Sequence, residues 1–124
     1  MQRTSIATAN TPTAIWTPDA TNDVVIKKIM VSSSDTSIQA FRLYLHDGTN
    51  DDLMGLVDIP VTAGTENAVP PVDVAAELPA LFSEMDNANN ACLMIPAGCG
   101  LKASVDAITT DKLFKVWVFV EKYD

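Results

Sequence analysis

The last third of the chain, from Met85 to Tyr123, constrains the fold most. Its final run, Leu113 to Val120, is dense in valine and aromatic residues. Phe114, Val116, Val118 and Val120 fall on one face; Lys115, Trp117, Phe119 and Glu121 fall on the other. A period of two marks a β-strand, spanning residues 112–123 here. Upstream, residues 91–97 and 100–106 read as two strands of a hairpin around Pro96-Ala97-Gly98. The order is turn, strand, tight turn, strand, loop, long strand: a β-meander with no catalytic residue set in it.

The remainder repeats the theme. Val24 to Ser33 is rich in β-branched residues and apolar on both faces, which predicts a central strand. Residues 37–46 alternate cleanly, with Phe41, Leu43 and Leu45 on one side and Arg42, Tyr44 and His46 on the other. Asp47-Gly48 marks a turn, and Leu53 to Pro60 returns, so residues 37–60 read as a hairpin. Residues 1–23 are rich in Thr, Ala, Asn and Pro and read as an extended arm before a domain of residues 24–124, with one short strand at residues 13–17. One helical segment is expected near residues 78–85, with Pro79 as its first residue. Seven or eight strands, with turn signals every 8–12 residues, predict an all-β fold: an antiparallel β-sandwich, jelly-roll-like.

Composition narrows the function. At 124 residues the chain is one domain, and 48% apolar with 19% charged residues is the balance of a globular protein. A net charge of −8 argues against binding nucleic acid or an anionic membrane. No stretch approaches the roughly 20 apolar residues of a membrane span. Residues 1–10 hold one basic residue and no apolar run, so no signal peptide is read and synthesis in a cytoplasm is expected. Cys92 and Cys99 flank a tight turn and are expected as two reduced thiols.

Catalytic chemistry finds little support, and no enzyme activity is expected. The single histidine, His46, sits at a strand end beside Asp47; no Gly-x-Ser-x-Gly elbow provides a nucleophile for it. The Asp47–Asp52 loop offers hard oxygen ligands but lacks the order and closing glutamate of a calcium loop. Asp86 to Asn90 raises the same question with fewer charges. Both read as polar turns, and no metal or cofactor is assigned. Six apolar or aromatic side chains stand out as interface candidates: Ile6, Ile15, Trp16, Tyr44, Trp117 and Phe119. Covered faces of a central strand, a subunit interface and a sugar-binding surface all remain open for the aromatics.

The segment Asp86-x-Ala88-Asn89-Asn90-x-x-Leu93-x-Ile95-Pro96-Ala97-Gly98-x-x-Leu101-x-Ala103 resembles a motif of small structural proteins of tailed-phage virions. Residues 26–29 and 41–45 resemble their first strand pair. One departure is Ala88-Asn89-Asn90, where those proteins carry Asn-Gly-Asn. The resemblance implies a capsid decoration or cement protein, made in the host cytoplasm and placed on the capsid surface. Its partners would be the major capsid protein and copies of itself, with a trimer favoured and the N-terminal arm as tether. A tail or fibre component, or a host-glycan-binding adhesion module, is the alternative. No catalytic residues come with the resemblance.

Overall fold

The computed structural model describes residues 1–65, 69–85 and 91–122. Its strands are β1 (Gln2–Ile6), β2 (Thr13–Trp16), β3 (Val24–Ser33), β4 (Gln39–His46), β5 (Asp51–Ile59), β6 (Val72–Asp73), β7 (Glu84–Met85), β8 (Ala91–Ile95), β9 (Gly100–Val105) and β10 (Phe114–Lys122). The one helix among the described residues is α1 (Val74–Glu77). The strands form two antiparallel sheets packed as a sandwich. One runs β1-β10-β3-β8-β7, with β6 also paired to β3; the other runs β2-β9-β4-β5.

Alternation explains the layering. The first sheet turns Ile6, Ile29, Val31, Phe114, Val116 and Val118 inward. The second answers with Ile15, Phe41, Leu43, Val57, Ile59, Leu101, Ala103 and Val105. Each fully buried aliphatic or phenyl side chain contributes about 1.5–3 kcal/mol of transfer free energy. Three irregularities adjust the register, at Phe119/Val120, at Leu43/Tyr44 and at Ala14/Trp16. The second leaves Met54 unpaired, so Leu53 stays opposite Tyr44 on the outer face.

The strand expectations at residues 24–33, 37–60 and 112–123 match β3, the β4–β5 hairpin and β10 (Phe114–Lys122), residue 123 lying outside the described residues. The β-meander does not survive. β8 pairs with β3 and β7 in one sheet, whereas β9 pairs with β2 and β4 in the other. The Pro96–Cys99 turn is therefore a corner between layers. Its amides bond to the β2–β3 connection: Gly98 N donates to Asp19 O at 2.7 Å and Ala97 N to Asp23 Oδ1 at 2.9 Å. A two-residue alternation fixes which face a strand buries, but not which neighbour it pairs with. For the same reason β3 and β4 lie in opposite sheets and are not a strand pair. Residues 86–90 of the virion-protein motif lie outside the described residues.

The helix is displaced from residues 78–85 to Val74–Glu77. Asp73 caps it, accepting from Ala75 N at 3.0 Å. Pro79 follows the helix; it does not start it. Proline disfavours helical backbone at the preceding residue, and Leu78 sits at φ −126°, ψ 60°. Leu78 then packs against Gly55 of β5, where an added Cβ would come within 2.6 Å of its Cδ1.

Residues 1–23 are extended, but they are not a separate arm. β1 pairs with β10 through five residues at one sheet edge, and β2 pairs with β9 at an edge of the other. Ile6 and Ile15, expected at an interface, are 1% and 0% exposed and belong to the common core. Ile6→Ala and Ile15→Ala should each lower unfolding free energy by about 2–5 kcal/mol. A guanidinium melt of each variant checks this. Unchanged midpoints would return these residues to a peripheral role.

Candidate functional site

One end of the sandwich is knitted around a single carboxylate. Asp35 lies in the β3–β4 connection and is 0% exposed. Its Oδ2 accepts from Thr109 N at 2.8 Å; its Oδ1 accepts from Thr109 Oγ1 at 2.8 Å and from Ser37 N at 2.9 Å. Its own amide donates to Ser33 Oγ at 3.0 Å, and its carbonyl accepts from Thr62 N at 3.1 Å. Burial pushes the carboxyl's pKa up. The bonds from Thr109 N–H, Ser37 N–H, the Thr109 hydroxyl and Thr36 N–H outweigh it and hold the group below its ordinary 3.8. Three segments, residues 33–37, 60–65 and 107–113, are thereby fixed to one another.

Further bonds complete the join. Ser33 N donates to Ala63 O at 2.8 Å and Ser34 N to Leu113 O at 3.1 Å. Ser34 Oγ accepts from Leu113 N at 3.1 Å, and Thr65 Oγ1 donates to Thr62 O at 2.9 Å. Gly64 is required here: φ is +75°, and an added Cβ would sit 2.9 Å from Ser32 Cβ. Thr62 nearby holds φ 55°, a conformation that costs a β-branched residue strain.

Beside this knot lies a cleft of about 420 Å³, lined by Ser32, Ser34, Gly64, Thr65, Leu113, Lys115 and Trp117. It opens on the outer face of the β1-β10-β3 ribbon. Lys115 stands opposite Ser5 and Ser32, and Trp117 opposite Arg3 and Met30. Phe119 continues this face, 37% exposed and opposite Lys28. β10 is therefore internal to its sheet, and its outer face carries an exposed aromatic.

The other aromatic candidates lie elsewhere. Tyr44 is on the outer face of the second sheet, its hydroxyl 3.0 Å from Ser104 Oγ. Nearby, His46 Nδ1 is 2.7 Å from Asp51 Oδ1, and Lys102 Nζ is 3.6 Å from the same oxygen. The histidine thus pairs with Asp51 across the hairpin, not with its neighbour Asp47. Asp47 is occupied with its own loop, where Oδ1 accepts from Thr49 N at 2.9 Å and Asn50 N at 2.7 Å. Those two amide bonds, against a smaller opposing effect of burial, hold its carboxyl below the ordinary value. Among the described residues no three His, Cys, Asp or Glu side chains form a group able to hold a metal ion. Cys92 and Cys99 are not joined in a disulfide, and among the described residues no helix is long and apolar enough to cross a membrane.

Trp16, on the edge strand β2, packs against the core, and its Nε1 is buried without a hydrogen-bond partner. Trp117 was legible as an exposed-face aromatic. Asp35 was not, because a Ser-Ser-Ser-Asp run reads as an ordinary turn and its main partner is 74 residues away.

Asp35→Asn should cost about 1.5–3 kcal/mol, the usual worth of hydrogen bonds to a charged acceptor. The native carboxyl is depressed, so its stabilisation is present above the unfolded value and lost as pH falls through the folded one. Chemical denaturation from pH 7 to pH 2 should therefore show a smaller acid loss in Asp35→Asn than in wild type. Equal slopes would remove Asp35 from the linkage. Trp16→Phe deletes the orphaned donor and should leave stability unchanged or raise it by up to about 1 kcal/mol. A drop of several kcal/mol in the same melts would mean that the N–H is in use.

No protein-family model matches this chain, and no curated protein or solved structure does. What the structure establishes is the fold, a small two-sheet β-sandwich.

Proposed function

We propose that this protein is a structural component of a tailed-phage virion, a decoration or cement protein that binds the capsid shell as a symmetric trimer. The strand order carries the reading. Counting only the eight principal strands in chain order, the sheets run 1-8-3-6 and 2-7-4-5. All neighbours are antiparallel, and only the fourth and fifth form a local hairpin. That order supports a jelly roll, two Greek keys wrapped into one sandwich, an architecture of viral capsid and lectin domains. The inference from architecture to role is one of analogy.

The N-terminal tether falls away from this proposal, because residues 2–6 and 13–16 are built into the sheets. The surface that suits an oligomer is instead the outer face of β5. Leu53 and Leu56 there are 58% and 51% exposed, and they stand opposite Tyr44 and Arg42. Arg42 pairs with Asp106 and Tyr44 bonds Ser104, which leaves the two leucines as the apolar part of the patch. Asp51, Asp52 and Asp58 flank them on the same strand, and like charges on an edge oppose plain strand-to-strand pairing. A contact across the sheet face fits better.

The second reading, a tail, fibre or adhesion module that binds host glycan, draws on the Trp117 cleft. A lectin role suits the same architecture.

Light scattering after size exclusion, with co-sedimentation on phage capsids, tests the main reading. The expected mass is that of three 13.3 kDa chains, pelleting with capsids. Leu53→Glu with Leu56→Glu should reduce the mass to one chain without lowering the melting temperature. A wild-type monomer that stays in the supernatant would sink the cement reading.

A further inference from the structure

We infer that the Trp117 cleft is a binding site for an acidic saccharide, a sugar bearing a carboxylate or sulfate. The inference rests on the glycan-binding reading of this cleft and assigns its ligand class.

The first ground is chemical. Trp117 offers a ring surface against which the apolar face of a pyranose can lie. Lys115, two residues along on the same face, supplies a cation. Successive same-face residues on a strand are about 6.5–7 Å apart, a separation that one sugar ring with a charged substituent can bridge. Lys115 and Arg3, the latter opposite Trp117, take part in no ion pair among the described residues. Lys102, by contrast, lies 3.6 Å from Asp51, and Arg42 is paired with Asp106.

The second ground is hydrogen bonding. Ser34 Oγ donates to Leu113 O at 3.4 Å and Thr65 Oγ1 donates to Thr62 O at 2.9 Å. With their protons committed to backbone, these hydroxyls keep acceptor capacity for sugar O–H donors, a single lone pair in the case of Ser34 Oγ, which also accepts from Leu113 N. Ser32 Oγ has no hydrogen-bond partner among the described residues. A free phosphate or acetate would use the cation but leave the indole face and the hydroxyl acceptors idle.

The third ground is electrostatic range. A polyanion such as single-stranded nucleic acid would meet the chain's net charge of −8 along its whole length. A ligand with one charge meets mainly what lies within a Debye length, about 8 Å at physiological salt. Lys115 lines the cleft and Arg3 stands opposite Trp117, while the nearby Asp35 carboxylate is turned to its Thr109 and Ser37 donors. The volume, about 420 Å³, lies within the roughly 300–1,000 Å³ of small-molecule sites. The cleft is also rigid, because the Asp35 knot fixes its serine, threonine and leucine walls before any ligand arrives.

The test is titration of the full chain with 3′-sialyllactose and with a sulfated lactose, using lactose and sodium acetate as controls, followed by calorimetry and Trp fluorescence. Binding of an acidic sugar at least tenfold tighter than lactose is expected, weakening as salt rises. Trp117→Ala should reduce it at least tenfold, Trp117→Phe less, and Lys115→Gln by about fivefold. A Tyr44→Phe control, on the opposite sheet, should bind as wild type. Equal affinity for lactose and the acidic sugars overturns the acidic assignment and leaves the glycan reading standing. Binding of none of the sugars overturns both. Acetate competing as well as the sugars would reduce the site to an anion contact and overturn the inference. Thermal melts confirm that each variant is folded, so a loss of binding in Trp117→Phe or Lys115→Gln is read at the cleft.

Discussion

The corner of this sandwich depends on one buried carboxylate. Asp35 is surrounded by donors from its own turn and from a loop 74 residues away. The charge is costly to bury, and the hydrogen bonds that offset the cost must all be present together. This couples the β3–β4 connection, the loop after β5 and the loop before β10 into one unit. The cleft walls are parts of that unit, so its shape follows from a structural constraint remote from Trp117.

The two outer faces differ in chemistry. On the β1-β10-β3 face, Arg3, Lys28 and Lys115 accompany Trp117 and Phe119. On the β9-β4-β5 face, cations are mostly neutralised: Arg42 by Asp106 and Lys102 near Asp51, which also holds His46. Exposed leucines take the prominent positions there. A protein with an acidic total charge thus carries one cationic aromatic face and one neutralised apolar face. A particle component that is anchored on one side and displays the other would use such a division, which is how the oligomer and cleft proposals fit together.

Much of the secondary structure was legible. β3, β4, β5 and β10 follow from alternation and β-branched content, because burial on one or both faces leaves a period in the residues themselves. The short elements were not. β1, Gln-Arg-Thr-Ser-Ile, has one large apolar residue and reads as tail; its strand exists because the β10 edge supplies hydrogen-bond partners and the core accepts Ile6. The helix was shifted by about a turn because Asp73, a capping residue, competes with Pro79, a residue equally at home beginning a helix or following one.

The sequence alone determined that this is an all-β chain, where its longest strands lie and which faces of β4 and β10 are buried, since these are local consequences of a two-residue period. It also placed Trp117 and Phe119 opposite the valine face. The tertiary structure decided strand partnership, turning an apparent hairpin at Pro96–Cys99 into a corner between sheets. It alone brought Asp35 to Thr109 and Ser32, Thr65 and Lys115 to one cleft. These are pairings between segments tens of residues apart, and no local pattern records them. Their free energy comes from closing loops around shared hydrogen bonds and a common core.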